Sequence, residues 1–297
     1  MKARFVLTAV LFLSAWAQAL ALGVEGPAGS PGGSDPQQMQ DFNIAGYDAK
    51  GDKTWEVEGA SMDMMGDDVK IADITARLFG QEPDGQSMVL TADHGRFDKT
   101  SGKVRLEDNV RAVTESGAEM TTSVLDWSQT DRLISTEEKV NITRDNMEAV
   151  GTGLEAKPDL KVAKLEKDVT LTLPQQQPAS AAAEEKSLGP GKMVITCDGP
   201  MELDYEEQFA TFEKNVHVDS EGDQGQMVSD KMTVYFDKAS KQIGKIVAEG
   251  NVKITRDGNT SHSETAVFMA KDRKMVLTGR PQLVMYMEEG GFEMGGF

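Results

Sequence analysis

Through most of this chain apolar and polar residues alternate over short spans. Val104-Arg105-Leu106, Val140-Asn141-Ile142, Val169-Thr170-Leu171-Thr172-Leu173, Val216-His217-Val218 and Val252-Lys253-Ile254 each set apolar side chains two positions apart. That spacing is one face of a pleated strand, so these segments read as half-buried strands. Between them, Asp48-Ala49-Lys50-Gly51, Lys99-Thr100-Ser101-Gly102, Asp237-Lys238-Ala239-Ser240 and Arg256-Asp257-Gly258-Asn259 supply tight-turn residues. Gly102, Gly250 and Gly258 are expected where the backbone needs a positive φ or a close approach. Past the N-terminus no stretch keeps a helical period over three turns, and the chain is predicted to be all-β.

Aligning the strands exposes a repeat. The pattern "polar, Asn or Asp, Val, polar, apolar" occurs at Asp108-Asn109-Val110-Arg111-Ala112, Lys167-Asp168-Val169-Thr170-Leu171, Lys214-Asn215-Val216-His217-Val218 and Gly250-Asn251-Val252-Lys253-Ile254. Weaker copies sit at Lys139-Val140-Asn141-Ile142 and Gly279-Arg280-Pro281-Gln282-Leu283. The key positions Val110, Val140, Val169, Val216, Val252 and Leu283 are 30, 29, 47, 36 and 31 residues apart, the longest gap holding a Pro/Gln/Ala-rich insert. A period near thirty residues predicts stacked units, each covering its neighbour's apolar face.

The N-terminus changes the picture of where the chain works. Lys2 and Arg4 precede an apolar run over 5–16, followed by Ala17, Ala19 and Ala21, the three parts of a secretory signal. Ala17-Gln18-Ala19 and Ala19-Leu20-Ala21 both suit a signal peptidase. The alternative is an uncleaved inner-membrane anchor, because residues 5–22 just reach spanning length, though Thr8, Ser14 and Gln18 dilute the run. Residues 22–40 read as a Gly/Pro/Ser-rich spacer, 174–190 as a linker and 288–297 as a flexible tail.

Composition bounds the chemistry. The chain carries 31 Lys plus Arg against 49 Asp plus Glu; losing Lys2 and Arg4 takes its net charge from −18 to −20, which repels nucleic acid. Cys197 is the single cysteine, so no intramolecular disulfide staples the fold. His94, His217 and His262 fall in separate repeats without metal-ligand spacing, and no nucleophile-elbow or phosphate-loop motif occurs. No catalytic residue, metal or cofactor is therefore expected. Seventeen Met residues, many on or beside strands (Met88, Met120, Met201, Met232 and Met275 among them), supply flexible apolar side chains. Such residues suit a pliable ligand and equally a loosely packed β-core; an exported structural or adhesive β-solenoid would share the period and the acidity.

Longer motifs carry a family resemblance. Tyr47-Asp48 … Gly51 … Trp55-Glu56-Val57 is followed by Leu90-Thr91-Ala92-Asp93-His94-Gly95-Arg96-Phe97-Asp98, Gly102-Lys103-Val104-Arg105-Leu106-Glu107-Asp108-Asn109-Val110, Thr121-Thr122-Ser123-Val124-Leu125-Asp126-Trp127 and Val140-Asn141-Ile142-Thr143-Arg144. This set resembles the LptC-type proteins of lipopolysaccharide export. Phe209-Ala210-Thr211-Phe212-Glu213-Lys214-Asn215-Val216-His217-Val218 with Val247-Ala248-Glu249-Gly250-Asn251-Val252-Lys253-Ile254 resembles the LptA or OstA-like type. The resemblance implies tandem open twisted β-jellyrolls, an LptC-like module over 41–173 and an OstA/LptA-like module over 191–287. It also implies a periplasmic, non-enzymatic carrier of lipopolysaccharide acyl chains, working beside other Lpt components and an inner-membrane ABC transporter complex.

Alternation places Val104, Leu106, Val110, Val140, Ile142, Val216, Val218, Val252 and Ile254 on one face, which the resemblance makes the lining of a lipid trough. An open jellyroll leaves two unpaired edges. They are expected near 42–47 and 55–57 at the start and 274–287 at the end, with Phe42, Trp55, Val57, Leu283, Met285 and Met287 as edge residues available for strand pairing.

Overall fold

The computed structural model describes residues 37–284 apart from 48–49, 80–85, 99, 102, 129–132, 146, 158–159, 175–191, 221–224, 241, 257 and 273. The export signal, the spacer up to residue 36, the linker from residue 175, Gly102, Met285, Met287 and the tail lie outside the described residues. No helix occurs among the described residues; instead there are seventeen strands. The first seven are β1 (Gln37–Tyr47), β2 (Lys53–Met65), β3 (Asp68–Phe79), β4 (Gln86–Asp98), β5 (Lys103–Thr114), β6 (Glu119–Ser128) and β7 (Leu133–Arg144). Then come β8 (Met147–Ala156), β9 (Val162–Pro174), β10 (Lys192–Cys197), β11 (Met201–Asp204) and β12 (Phe209–Ser220). The series ends with β13 (Gln226–Phe236), β14 (Ile243–Arg256), β15 (Asn259–Met269), β16 (Lys274–Thr278) and β17 (Gln282–Val284).

Two compact units divide the chain: residues 1–145 with 153–160, and residues 146–152 with 161–297. In the first unit, β1 to β7 form an antiparallel meander, each strand paired to the next. In the second, β9 pairs with both β10 and β11, and these two short strands pair together onto β12. From there β12 to β15 continue as a meander, and β16 and β17 share the far side of β15. The first strand begins at Gln37, inside the stretch expected to be spacer, and β9 groups with the second unit, although its sequence reads with the first module.

At five of its six copies the thirty-residue repeat proves to be a corner; the copy at Lys139–Ile142 has no left-handed residue. Asp108 and Asn109 have φ of 64° and 51°, Lys214 and Asn215 65° and 50°, Gly250 and Asn251 75° and 47°, and Gly279 and Arg280 79° and 55°. Asp168 alone turns at 53°. Asn, Asp and Gly are the residues that enter this left-handed region most readily, which is why the repeat selects them. Each corner interrupts its ladder, as between Glu107 and Val110, Glu213 and Val216, and Glu249 and Val252. The Asn amides close the gap from outside: Asn109 donates to Asp93 at 2.6 Å, Asn215 to Asp198 at 2.5 Å and Asn251 to Asp230 at 2.8 Å. These three corners are thus tied to the preceding strand at its own bend. One antiparallel pair takes about thirty residues, so the motif returns on alternate strands.

A strand bent once at mid-length runs from one rim of a jellyroll to the other, with hairpin turns along both rims. Across a corner the motif strand spends four residues where its neighbour spends three: Leu106 and Val110 face Leu125 and Thr122, Phe212 and Val216 face Met232 and Ser229, and Ala248 and Val252 face Ala266 and Ser263. The unequal count is a β-bulge, which bends and twists the sheet toward its apolar side.

Candidate functional site

The inner face of the first unit collects Phe42, Trp55, Val57, Ile71, Ile74, Met88, Leu90, Phe97, Met120 and Leu125, all at most 7% exposed. In the second unit Leu165, Leu171, Ile195, Met201, Phe212, Met232 and Ile246 do the same. Of the nine residues expected on this face, Leu106, Val110, Val140, Ile142, Val216, Val218 and Val252 are between 0 and 7% exposed. Val104 and Ile254 are half-buried and lie toward the strand ends, beyond Leu106 and Val252. The first five of the nine share the first unit's interior and the other four the second's. Cross-strand register sets Leu106 against Leu125, Ile142 against Met120, Val218 against Ile195 and Ile254 against Met227.

Few polar groups enter these interiors. Thr122, Ser229 and Ser263 stand opposite Val110, Val216 and Val252, one residue past each corner. The Ser229 hydroxyl donates to the Lys231 carbonyl at 3.0 Å, which satisfies a backbone group freed by the bulge. Arg144 at the end of β7 is 5% exposed and donates to the Ser116 hydroxyl at 2.5 Å. Cys197 also faces inward at 5% exposure, and burial pushes its thiol pKa up, so it remains a neutral apolar group.

Apart from Arg144, the charged groups stay outside. Arg105 reaches Asp126 and Glu107 at 2.9 Å each, Arg111 holds Glu119 at 2.6 Å, Arg77 meets Glu58 at 2.9 Å and Lys231 meets Glu213 at 2.9 Å. The hydrogen bond from Arg111 draws the Glu119 carboxyl below its usual range. These pairs are exposed and individually add little stability, so their effect is to keep the outer face wet and the inner face dry. Among the described residues no three His, Cys, Asp or Glu side chains converge on a metal-sized site. His94 lies 3.1 Å from Asp108 on the surface, and His217 and His262 are exposed on separate strands.

The edges need one correction. β2 pairs on both sides, with β1 and β3, so Trp55 and Val57 lie one strand inside the edge. They and Phe42 point inward at 5 to 7% exposure. Alternation tells which face a residue takes but not which strand is outermost. Gly46 explains how so large a ring fits: a Cβ there would collide with the Trp55 indole, which packs into the space left by the missing side chain. At the far end Leu283, Val284 and Met275 are 61%, 42% and 41% exposed. Among the described residues β1 has no partner other than β2, and β16 and β17 have none other than β15.

A family model described as lipopolysaccharide-assembly, LptC-related, matches residues 7–173, and one described as LptA/(LptD N-terminal domain) LPS transport protein matches residues 199–291. A comparison with curated proteins finds no match. Two bent antiparallel units with dry inner faces, carrying these two matches in tandem, define a lipopolysaccharide-transport component of the periplasmic bridge type. The chain belongs to the LptC-related family of lipopolysaccharide assembly, with an LptA-like module following the LptC-type one.

Proposed function

We propose that each jellyroll holds the acyl chains of lipopolysaccharide against its inner face, that this carriage takes place in the periplasm without catalysis, and that the free edges pair with other Lpt components. The observation that carries the reading is the coincidence of the two family matches with two interiors almost devoid of charge. Acyl tails gain about 25 cal/mol for each Å² of apolar surface they remove from water, so a dry face suffices to hold them although the protein is acidic. In the first unit the lining would be Val104, Leu106, Val110, Val140 and Ile142, and in the second Val216, Val218, Val252 and Ile254. Buried Met88, Met120, Met201 and Met232 give these interiors side chains that can rearrange around a tail. An N-terminal export segment delivers the chain to the compartment where an inner-membrane ABC transporter complex would load it. At the far edge, exposed Leu283 and Val284 on β17 offer apolar side chains to an added strand, and Met285 and Met287 would extend it.

Photo-reactive residues at Leu106, Val110, Val216 and Val252, with outward-facing Arg105 and His217 as controls, test the lining. Irradiation in cells should crosslink lipopolysaccharide from the four inward positions and not from the controls. Equal yields from both sets would overturn the assignment of the face, and lipid from neither would overturn lipid carriage itself.

A further inference from the structure

Ion pairs hold Lys161, Lys164 and Lys231 of the second unit, whereas one rim of that unit gathers several lysines outside any such pair among the described residues. The turns at 237–240 and 270–272 adjoin strands that carry Lys245 and Lys274. Register sets Tyr235 opposite Lys245, Lys245 opposite Met269 and Met269 opposite Lys274, so these form one row across β13 to β16. The Ala270 amide donates to the Gly244 carbonyl at 3.0 Å and the Asp237 amide to Gln242 at 2.8 Å, which holds both turns against that row. Exposed Lys238 and Lys271 lie in these turns. None of Lys238, Lys245, Lys271 and Lys274 has an ion pair among the described residues, in contrast to Lys231, Lys161 and Lys164 of the same unit. Of the two acidic residues in these turns, the Asp237 carboxylate accepts from the amides of Ala239 and Ser240 at 3.0 and 2.8 Å and from the Ser240 hydroxyl at 2.9 Å. Lys245 sits 4.2 Å from the centre of the Tyr235 ring, and Phe209 lies 6.4 Å beyond, so the row has an aromatic flank.

We infer that this rim is an anion-binding surface that receives the phosphates of a glycolipid whose tails occupy the second unit's interior, with Lys238, Lys245, Lys271 and Lys274 as the binding groups. The inference rests on the lipid-carrier reading and adds to it where the head group goes. A strand of the jellyroll ends at its rim, so a head group leaving the trough mouth passes the hairpin turns first. In a chain of net charge −18, an unpaired basic cluster is a local reversal of sign, and anionic groups of the ligand are its complement. Four exposed contacts together are expected to give roughly tenfold in affinity at low salt, fading as ionic strength rises.

Binding to the full chain is measured for lipopolysaccharide, for the same lipopolysaccharide after enzymatic dephosphorylation, and for phosphatidylglycerol vesicles. Wild type should prefer the phosphorylated form roughly tenfold at low salt, and K238Q/K245Q/K271Q/K274Q should bind both forms at the dephosphorylated level. K214Q/K253Q, which removes exposed lysines elsewhere in the unit, should keep the preference. A quadruple variant that retains it, or a wild type without it, overturns the inference while leaving lipid carriage standing. Loss of vesicle binding with the preference intact would assign the rim to a membrane surface instead. Failure of wild type to bind either form overturns the carrier reading and this one with it.

Discussion

Replacing Asn109 separates the two things its corner requires. The residue sits at φ 51° and its amide donates to Asp93 at 2.6 Å. Alanine loses both the hydrogen bond and the tolerance for left-handed backbone; glycine loses only the bond. An alanine held in that region costs roughly 1–2 kcal/mol. The bond has a carboxylate acceptor but is exposed, so its loss is put at about 0.5–1 kcal/mol. Asn109→Ala should therefore destabilise the first unit by roughly 1.5–3 kcal/mol. Asn109→Gly escapes the steric term but loosens the unfolded chain by about 0.4–1 kcal/mol, for a total near 1–2 kcal/mol. Alanine should thus fall below glycine by about 0.5–1 kcal/mol. Urea unfolding followed by tryptophan emission measures this, because Trp55 and Trp127 both lie in the first unit. If alanine proves as stable as glycine, the left-handed corner is not what the repeat encodes. If both match wild type, the cross-strand amide bond is not a stabilising clamp either.

Two further outcomes follow from the same structure. Gly250→Val should destabilise the second unit more than Gly258→Val, since both have positive φ but a Cβ at Gly250 also runs into the Asp230 side chain while Gly258 has nothing within 4 Å; thermal melts of the two variants check the order. Cys197, 5% exposed with its thiol pKa raised by burial, should resist iodoacetamide in the folded protein and react fully in denaturant, as intact mass would record.

How much of this was legible in the sequence depends on which contacts decide each feature. Alternation and the Asn-Val repeat are local, and both led directly to strands and to the inward side of Leu106, Val110, Val216 and Val252. The corner strands keep their phase because four residues separate Leu106 from Val110, an even number. Their partners do not: Thr122 and Leu125, Ser229 and Met232, and Ser263 and Ala266 are three apart, so strict alternation fails there. That shift comes from the neighbour's bulge and leaves no local mark. Trp55 was misplaced to the edge for a similar reason, since outermost position is a property of pairing. The basic rim was hidden because Lys238 and Lys274 are distant in sequence and meet only through three ladders.

The strand pairing of β9 also limits how the protein can be counted in an assembly. The match to the LptC-related family ends at residue 173, on β9, and that strand is already hydrogen-bonded to β10 and β11, where the LptA-like module begins. A ladder filled from within the chain has no vacancy for another chain. Among the described residues β1 and the β16–β17 side each keep an open flank. Were strands to add at both, the two docking sites would be unlike. Subunits joined through unlike ends add head to tail, so an array grown from this chain would have a fixed direction and one LptC-type module for every LptA-like module.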